Sequence, residues 1–127
     1  AQAFYQKMAD SDAANLTKKA NLAENLGLLG YVQGSNLNFA KADEFYKKSL
    51  TIYAELMNRA KLSTLDQRRF ASAYLSYGEV LLKNRESAKA LENLSKAQEL
   101  LQNEKVRKDA ESELARLEKL LAEAKSK

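Results

Sequence analysis

Apolar residues recur at spacings of three and four along almost the whole chain, and the alternation of two that marks a strand is missing. This pattern predicts helices only, near residues 1–9, 12–34, 38–61, 64–84, 87–102 and 104–125. The breaks are short and rich in side chains that cap helices, beginning with Asp10-Ser11-Asp12 and the stretch after Gly34. Such short connections predict neighbouring helices paired as antiparallel hairpins.

The clearest internal motif lies between residues 74 and 97, inside one predicted hairpin. It reads Tyr74-x2-Tyr77-Gly78-x2-Leu81 on the first helix and Ala90-x3-Leu94-x2-Ala97 on the second. Two helices cross closely only where one offers a small side chain and the other a large one. The motif therefore predicts close contacts at Gly78, Ala90 and Ala97.

This motif resembles the tetratricopeptide repeat, with its large-small pair on one helix and its Ala, aromatic, Ala series on the next. The resemblance covers residues 1 to about 102 and implies an all-α fold of antiparallel hairpins, stacked as a short right-handed solenoid. The interval from Ala42 to Ala90 is longer than the family repeat of about 34 residues, and the usual closing Pro is replaced by Ala54 and Gln102. Longer helices follow, similar to the long-helix group that includes kinesin light chains.

An earlier copy of the motif has Ala42-x3-Tyr46-x2-Ser49 on its second helix. Its first helix offers two registers. The preferred register takes Leu26-Gly27 as the large-small pair, because Asn25 precedes it and Asn is frequent before this pair in the family. This register requires an insertion of three residues in the turn. The alternative pair, Leu29-Gly30, requires none.

The start of the chain echoes that second helix. Ala1-x3-Tyr5-x2-Met8 parallels Ala42-x3-Tyr46-x2-Ser49, which predicts the tail of a preceding repeat in residues 1–9 and a piece of a longer array. A mature chain after removal of a secretory leader is the alternative. The cytoplasm is favoured, and the periplasm or secretion is the alternative if Ala1 is a mature N-terminus.

The whole chain is interpreted as one domain, with hairpins at 12–61 and 64–102 and a last helix at 104–125. One face of the last helix is apolar and carries Val106, Ala110, Leu114, Leu117, Leu121 and Ala124. A solenoid exposes an apolar end that such a helix covers, so a capping helix is expected. The same spacing suits a coiled-coil seam, which would make a homodimer instead of a monomer.

The resemblance implies a concave groove lined by the first helices of the hairpins. The positions that the packing motif leaves free are the implied partner contacts: Asn25, Leu28 and Tyr31 in the preferred register, and Ser72, Leu75, Ser76, Glu79, Leu82 and Lys83. In the family, the Asn equivalent to Asn25 can hydrogen-bond the backbone of an extended peptide. Ser76 stands at the matching place in the later repeat, and Glu24, Glu79 and Lys83 do not make the carboxylate clamp of one family branch.

The amino-acid composition excludes several kinds of catalytic and metal site. The 127 residues include no Cys and no His, so thiol nucleophiles, imidazole bases and the usual transition-metal sites are excluded. No catalytic residue, cofactor or metal site is predicted. The net charge of +4 comes from interspersed lysines, arginines and acids, which is typical of a solvated helical surface instead of a nucleic-acid stripe. No stretch approaches the length of a membrane span.

Three functions are compared on this basis. The first is a non-catalytic module that binds a peptide or helix of a partner protein in the groove. The second is a regulatory or scaffold segment of a larger signalling or secretion protein, acting through self-association of its helices. The third, an enzyme or nucleic-acid binder, finds little support, since the acids Glu111, Glu113 and Glu118 lie on a charge-alternating helix.

Overall fold

The computed structural model describes residues 2–59 and 62–126, with side chains from residue 14 onward. Within these residues the chain is all-helical. The helices are α1 (Gln2–Ser35), α2 (Phe39–Arg59), α3 (Thr64–Lys83), α4 (Ser87–Leu101), α5 (Glu104–Arg107) and α6 (Glu111–Lys125). Helix α3 is central, since it packs against each of the other five.

Helix α1 differs from its prediction because it continues through residues 10–12, where a break was expected. No Gly or Pro occurs before Gly27, and alanines at positions 9, 13 and 14 flank the acceptor side chains. Asp and Ser disfavour a helix interior by only a fraction of 1 kcal/mol each, so they do not end a helix in this setting. Ala1 and the side chains of residues 2–13, on which the echo of a preceding repeat depends, lie outside the described residues, as do residues 60 and 61 at the predicted end of α2.

The turns that close the two hairpins have the same geometry. Leu37 and Arg85 adopt positive φ angles of 64° and 61°. The N–H of Asn38 donates to the Gln33 carbonyl at 2.8 Å, and the N–H of Glu86 donates to that of Leu81 at 2.9 Å. These bonds satisfy carbonyls at the helix ends. The turns are therefore of equal length, with no insertion in the earlier one.

Equal turns identify Gly30, and not Gly27, as the counterpart of Gly78. A methyl group on Gly78 would lie 2.7 Å from the Leu94 side chain, and one on Gly30 would lie 2.8 Å from the Tyr46 ring. Gly27 instead faces the Ser49 hydroxyl at 3.4 Å. The preferred register, Asn25-Leu26-Gly27, is therefore wrong, because close helix crossing depends on the residue opposite Tyr46.

Aromatic rings connect the first hairpin to α3. Tyr46 stacks on Tyr77 with ring centroids 4.9 Å apart, and Tyr53 stacks on Phe70 at 5.2 Å. The Tyr77 hydroxyl donates to the Asp43 carboxylate at 2.8 Å. Because the rings are nearly parallel and buried, they fix the position of α2 relative to α3.

The C-terminal segment, predicted as one helix over 104–125, is divided into α5 and α6. At the division the N–H groups of Asp109 and Ala110 bond carbonyls three residues back, so the α-helical pattern is interrupted. Val106, Leu117, Leu120 and Ala124 are all buried in the same core as α3 and α4. The apolar face of α6 is thus occupied within its own chain and offers no free seam for a coiled coil.

Candidate functional site

A groove of about 490 Å³ lies between α1 and α3. It is called the α1–α3 groove below. Small residues create it: Gly27 on α1 and Ala73 on α3 leave space between the two helices that larger side chains would fill. Tyr46 and Ser49 of α2 also line it, and Arg116 of α6 lines one part.

The α1 wall of this groove carries large apolar side chains that are open to solvent. Leu28 is 59% exposed and Tyr31 is 40% exposed, and both line the groove. Exposed side chains of this size retain apolar area that a bound partner can bury. The opposite wall, on α3, includes the small polar residues Ser72 and Ser76, so a ligand side chain has room to approach it.

Two ion pairs within the groove lining balance its charges. Arg69 Nε of α3 lies 2.6 Å from Glu24 Oε2 of α1, and Arg116 Nη2 of α6 lies 3.0 Å from Glu79 Oε1 of α3. All four side chains line the groove. The groove therefore carries no net charge, which suits a ligand segment that is itself uncharged.

Tyr46 places a buried hydroxyl among these groups. Its side chain is fully buried, and its hydroxyl makes no hydrogen bond with any described residue. Burial raises its pKa, while the nearby Ser76 hydroxyl and Arg116 oppose the shift without making an ordinary hydrogen bond to it. The hydroxyl stays protonated and remains a donor whose capacity is unused.

The structure divides the predicted partner contacts into three groups, which are residues that line the groove, exposed residues outside it and buried residues. Five of them line the groove, namely Leu28, Tyr31, Ser72, Ser76 and Glu79. Asn25 and Lys83 are exposed on their helices but do not line it.

Leu75 and Leu82 were predicted to face the groove, and this is wrong. Leu75 is fully buried and Leu82 is 3% exposed, because α3 has neighbouring helices on most of its surface. Both belong to the main apolar core.

The groove residues that sequence reasoning missed include Arg69, Arg116 and Tyr46. Arg116 reaches the groove from α6, across a tertiary contact that no motif encodes. Glu24 was considered only for a carboxylate clamp. The correct register would have found it, because Glu24 stands at the same distance before Ser72 in the chain as Gly30 does before Gly78.

Comparison of the chain with protein-family models, curated proteins and solved structures finds no match. Among the side chains that the structure describes, those of residues 14–59 and 62–126, no group of three or more acids is placed to hold a metal ion. The helices of the same residues include none that is long and apolar enough to cross a membrane.

Proposed function

We propose that this chain is a non-catalytic protein-interaction module that binds an extended segment of a partner protein in the α1–α3 groove. The observation that carries the proposal is the exposure of Leu28 and Tyr31 on one wall of a concave, charge-balanced groove. Burying apolar side chains of this size against a ligand supplies affinity, and the polar wall supplies hydrogen bonds that orient it. No catalytic residue is assigned.

The proposed architecture is a pair of tetratricopeptide-like hairpins, α1 with α2 and α3 with α4, followed by α6 as a cap. Two repeated features support this architecture. A Gly contacts a large side chain in each hairpin, at Gly30 and at Gly78, and the turn that closes each hairpin recurs at the same interval along the chain. Packing of α3 against both α1 and α2 is the arrangement that stacked hairpins require. The α1–α3 groove then corresponds to the surface that the first helices of such hairpins share.

The test is a selection of linear peptides from a random library displayed on phage, followed by affinity measurements on variants. Leu28→Asp places a charge inside the groove, and Leu29→Asp makes the same change at a neighbouring exposed residue outside it. We expect Leu28→Asp to weaken the selected peptides about tenfold or more, since it removes apolar burial and desolvates a charge. The Leu29→Asp control should leave their affinity nearly unchanged.

A second pair of variants examines the other wall. Ser72→Trp fills the groove from α3, whereas Ser95→Trp adds the same bulk at an exposed position on α4. Loss of binding only in the first variant supports the proposal. Peptides that bind both groove variants as tightly as the unaltered protein would place the binding site elsewhere and refute it.

Self-association is retained as a second candidate because a different face of α1 is apolar and exposed. Leu22, Leu29 and Val32 are 50%, 45% and 52% exposed and do not line the α1–α3 groove. Sedimentation velocity over a hundredfold range of protein concentration tests this candidate. A rise in sedimentation coefficient that Leu29→Asp abolishes would favour it, and a constant monomer value would reject it.

A further inference from the structure

A second groove, of about 550 Å³, lies where α2, α3 and α4 meet. It is called the α2–α4 groove below, and it shares no lining residue with the α1–α3 groove. Leu50, Ala54 and Tyr74, all partly buried, supply its apolar and aromatic lining. Tyr74 also stacks on Phe70, with ring centroids 5.1 Å apart, so the buried Phe70 ring restrains the position of the Tyr74 ring.

The charges of the α2–α4 groove are not balanced. Its lining includes Lys47, Lys89 and Lys96, against one acid, Glu92. Among residues 14–59 and 62–126, neither Lys47 nor Lys96 lies within ion-pair distance of a carboxylate. In the α1–α3 groove, by contrast, each arginine is paired with a glutamate.

Two of the three lysines are placed where they can meet a ligand. Lys96 Nζ lies 5.9 Å from the centre of the Tyr74 ring, a distance at which the ring attracts the ammonium group. Lys47, an exposed residue of α2, also lines the groove. Lys89 is exposed and pairs with Glu86 at 3.5 Å, so its charge is partly offset.

We propose that the α2–α4 groove is a second docking site and that it takes an acidic peptide segment with apolar side chains. The apolar side chains would pack on Leu50 and Tyr74, and carboxylates of the segment would pair with Lys47 and Lys96. The charge complementarity is the reason for an acidic partner, because bringing carboxylates to two unpaired ammonium groups accelerates association and selects against basic segments.

The same observations favour a protein partner over DNA or a membrane. Tyr74 and Leu50 lie in a concave groove, which a flat lipid surface does not enter, and the excess lysines are few compared with the basic stripe of a nucleic-acid-binding face. A flexible acidic peptide can satisfy both features at once, since it carries apolar and charged side chains on one strand.

Isothermal titration calorimetry with a synthetic peptide tests the proposal. The probe is a short peptide of Asp and Glu that contains one Leu and one Phe. The comparison peptides replace its acids with Asn and Gln, or its Leu and Phe with Ser. The first peptide should bind, and each comparison peptide should bind at least about fivefold more weakly. One comparison peptide lacks the carboxylates that pair with the lysines, and the other lacks the apolar side chains that pack in the groove.

Matched charge reversals locate the binding. The Lys47→Glu/Lys96→Glu double variant alters the groove, and Lys18→Glu/Lys19→Glu alters two exposed lysines of α1 that lie outside it. Both double variants lower the net charge equally, so nonspecific attraction falls by the same amount in each. We expect a loss of about tenfold or more for the groove variant and less than about twofold for the control. Circular dichroism melts verify that both variants are folded.

Three outcomes would overturn the proposal. Equal losses in the two double variants would mean that the peptide responds to net charge alone. An unchanged affinity in the groove variant would place the peptide elsewhere. Binding of a DNA duplex or of phosphatidylserine vesicles that depends on Lys47 and Lys96, and exceeds that of the peptide, would assign the face to another class of partner.

Discussion

Replacing Gly30 or Gly27 by Ala, one at a time, tests how the first hairpin is held together. A methyl group on Gly30 would lie 2.8 Å from Cδ2 of the Tyr46 ring, well inside van der Waals contact. That ring is buried and stacked on Tyr77, so it cannot move aside without disturbing α3. A methyl group on Gly27 would lie 3.4 Å from Ser49 Oγ, at ordinary contact distance.

The two substitutions share one favourable effect and differ in one unfavourable effect. Ala is better than Gly in a helix interior by about 1 kcal/mol. Overpacking a close helix crossing costs about 1 to 3 kcal/mol, and only Gly30→Ala incurs it. We therefore expect Gly27→Ala to raise the free energy of unfolding by about 0.5 to 1 kcal/mol, and Gly30→Ala to lower it by up to about 2 kcal/mol.

Urea denaturation followed by circular dichroism measures both changes, and thermal melts should agree in sign. For a chain of this length, 1 kcal/mol corresponds to a shift in Tm of about 3 to 5 °C. The reasoning is refuted if Gly30→Ala is as stabilising as Gly27→Ala. That result would mean that α1 and α2 do not cross closely at Tyr46 and that the correspondence with Gly78 and Leu94 is accidental.

Three further predictions follow from the tyrosines and the groove. Tyr46→Phe should leave the free energy of unfolding unchanged or raise it by about 1 kcal/mol, because it removes a buried hydroxyl that has no hydrogen-bond partner among the described residues. Tyr77→Phe should lower the free energy of unfolding by about 1 to 2 kcal/mol, because it removes the hydrogen bond to Asp43. Chemical denaturation compares the two, and a larger loss for Tyr46→Phe would contradict the assignment. Burial raises the pKa of both tyrosines, so the unfolded state releases these protons first and stability should decline as the pH rises above about 10. Tyrosinate absorbance should then rise together with unfolding, and full ionisation in a still-folded chain would refute it. Leu28→Asp should leave the melting curve within about 0.5 kcal/mol of the parent, while Leu75→Asp should unfold the chain, and equal curves would show that Leu75 is not in the core.

The helical pattern of the chain could be predicted well because its apolar spacing is regular and its turns carry strong signals. The close contact predicted at Gly78 is confirmed, since a methyl group there would lie 2.7 Å from the Leu94 side chain. The predicted break at residues 10–12 is wrong, since Asp and Ser disfavour a helix interior by only a fraction of 1 kcal/mol each and no Gly or Pro is present there.

The groove was harder to predict, for geometric reasons. A repeat motif specifies which faces of a helix pack, but the number of helices around α3 depends on tertiary structure. Leu75 and Leu82 were therefore predicted to face the groove, although both belong to the core. The register error moved the earlier wall by three residues, so that Asn25 stood in place of Leu28 as the counterpart of Ser76. Arg116 joins the groove only because α6 folds back onto α3, and its sequence neighbourhood contains no sign of this.

The most direct test of the central claim is paramagnetic relaxation by a spin label on a peptide obtained from the library selection. The labelled peptide is added to isotopically labelled protein, and the loss of amide signals in the nuclear magnetic resonance spectrum maps its location. Binding in the α1–α3 groove predicts strong broadening at Leu28, Tyr31, Ser72 and Ser76, with little at Lys47 on the other groove. Broadening confined to residues outside the α1–α3 groove, or spread evenly over the surface, would contradict the account.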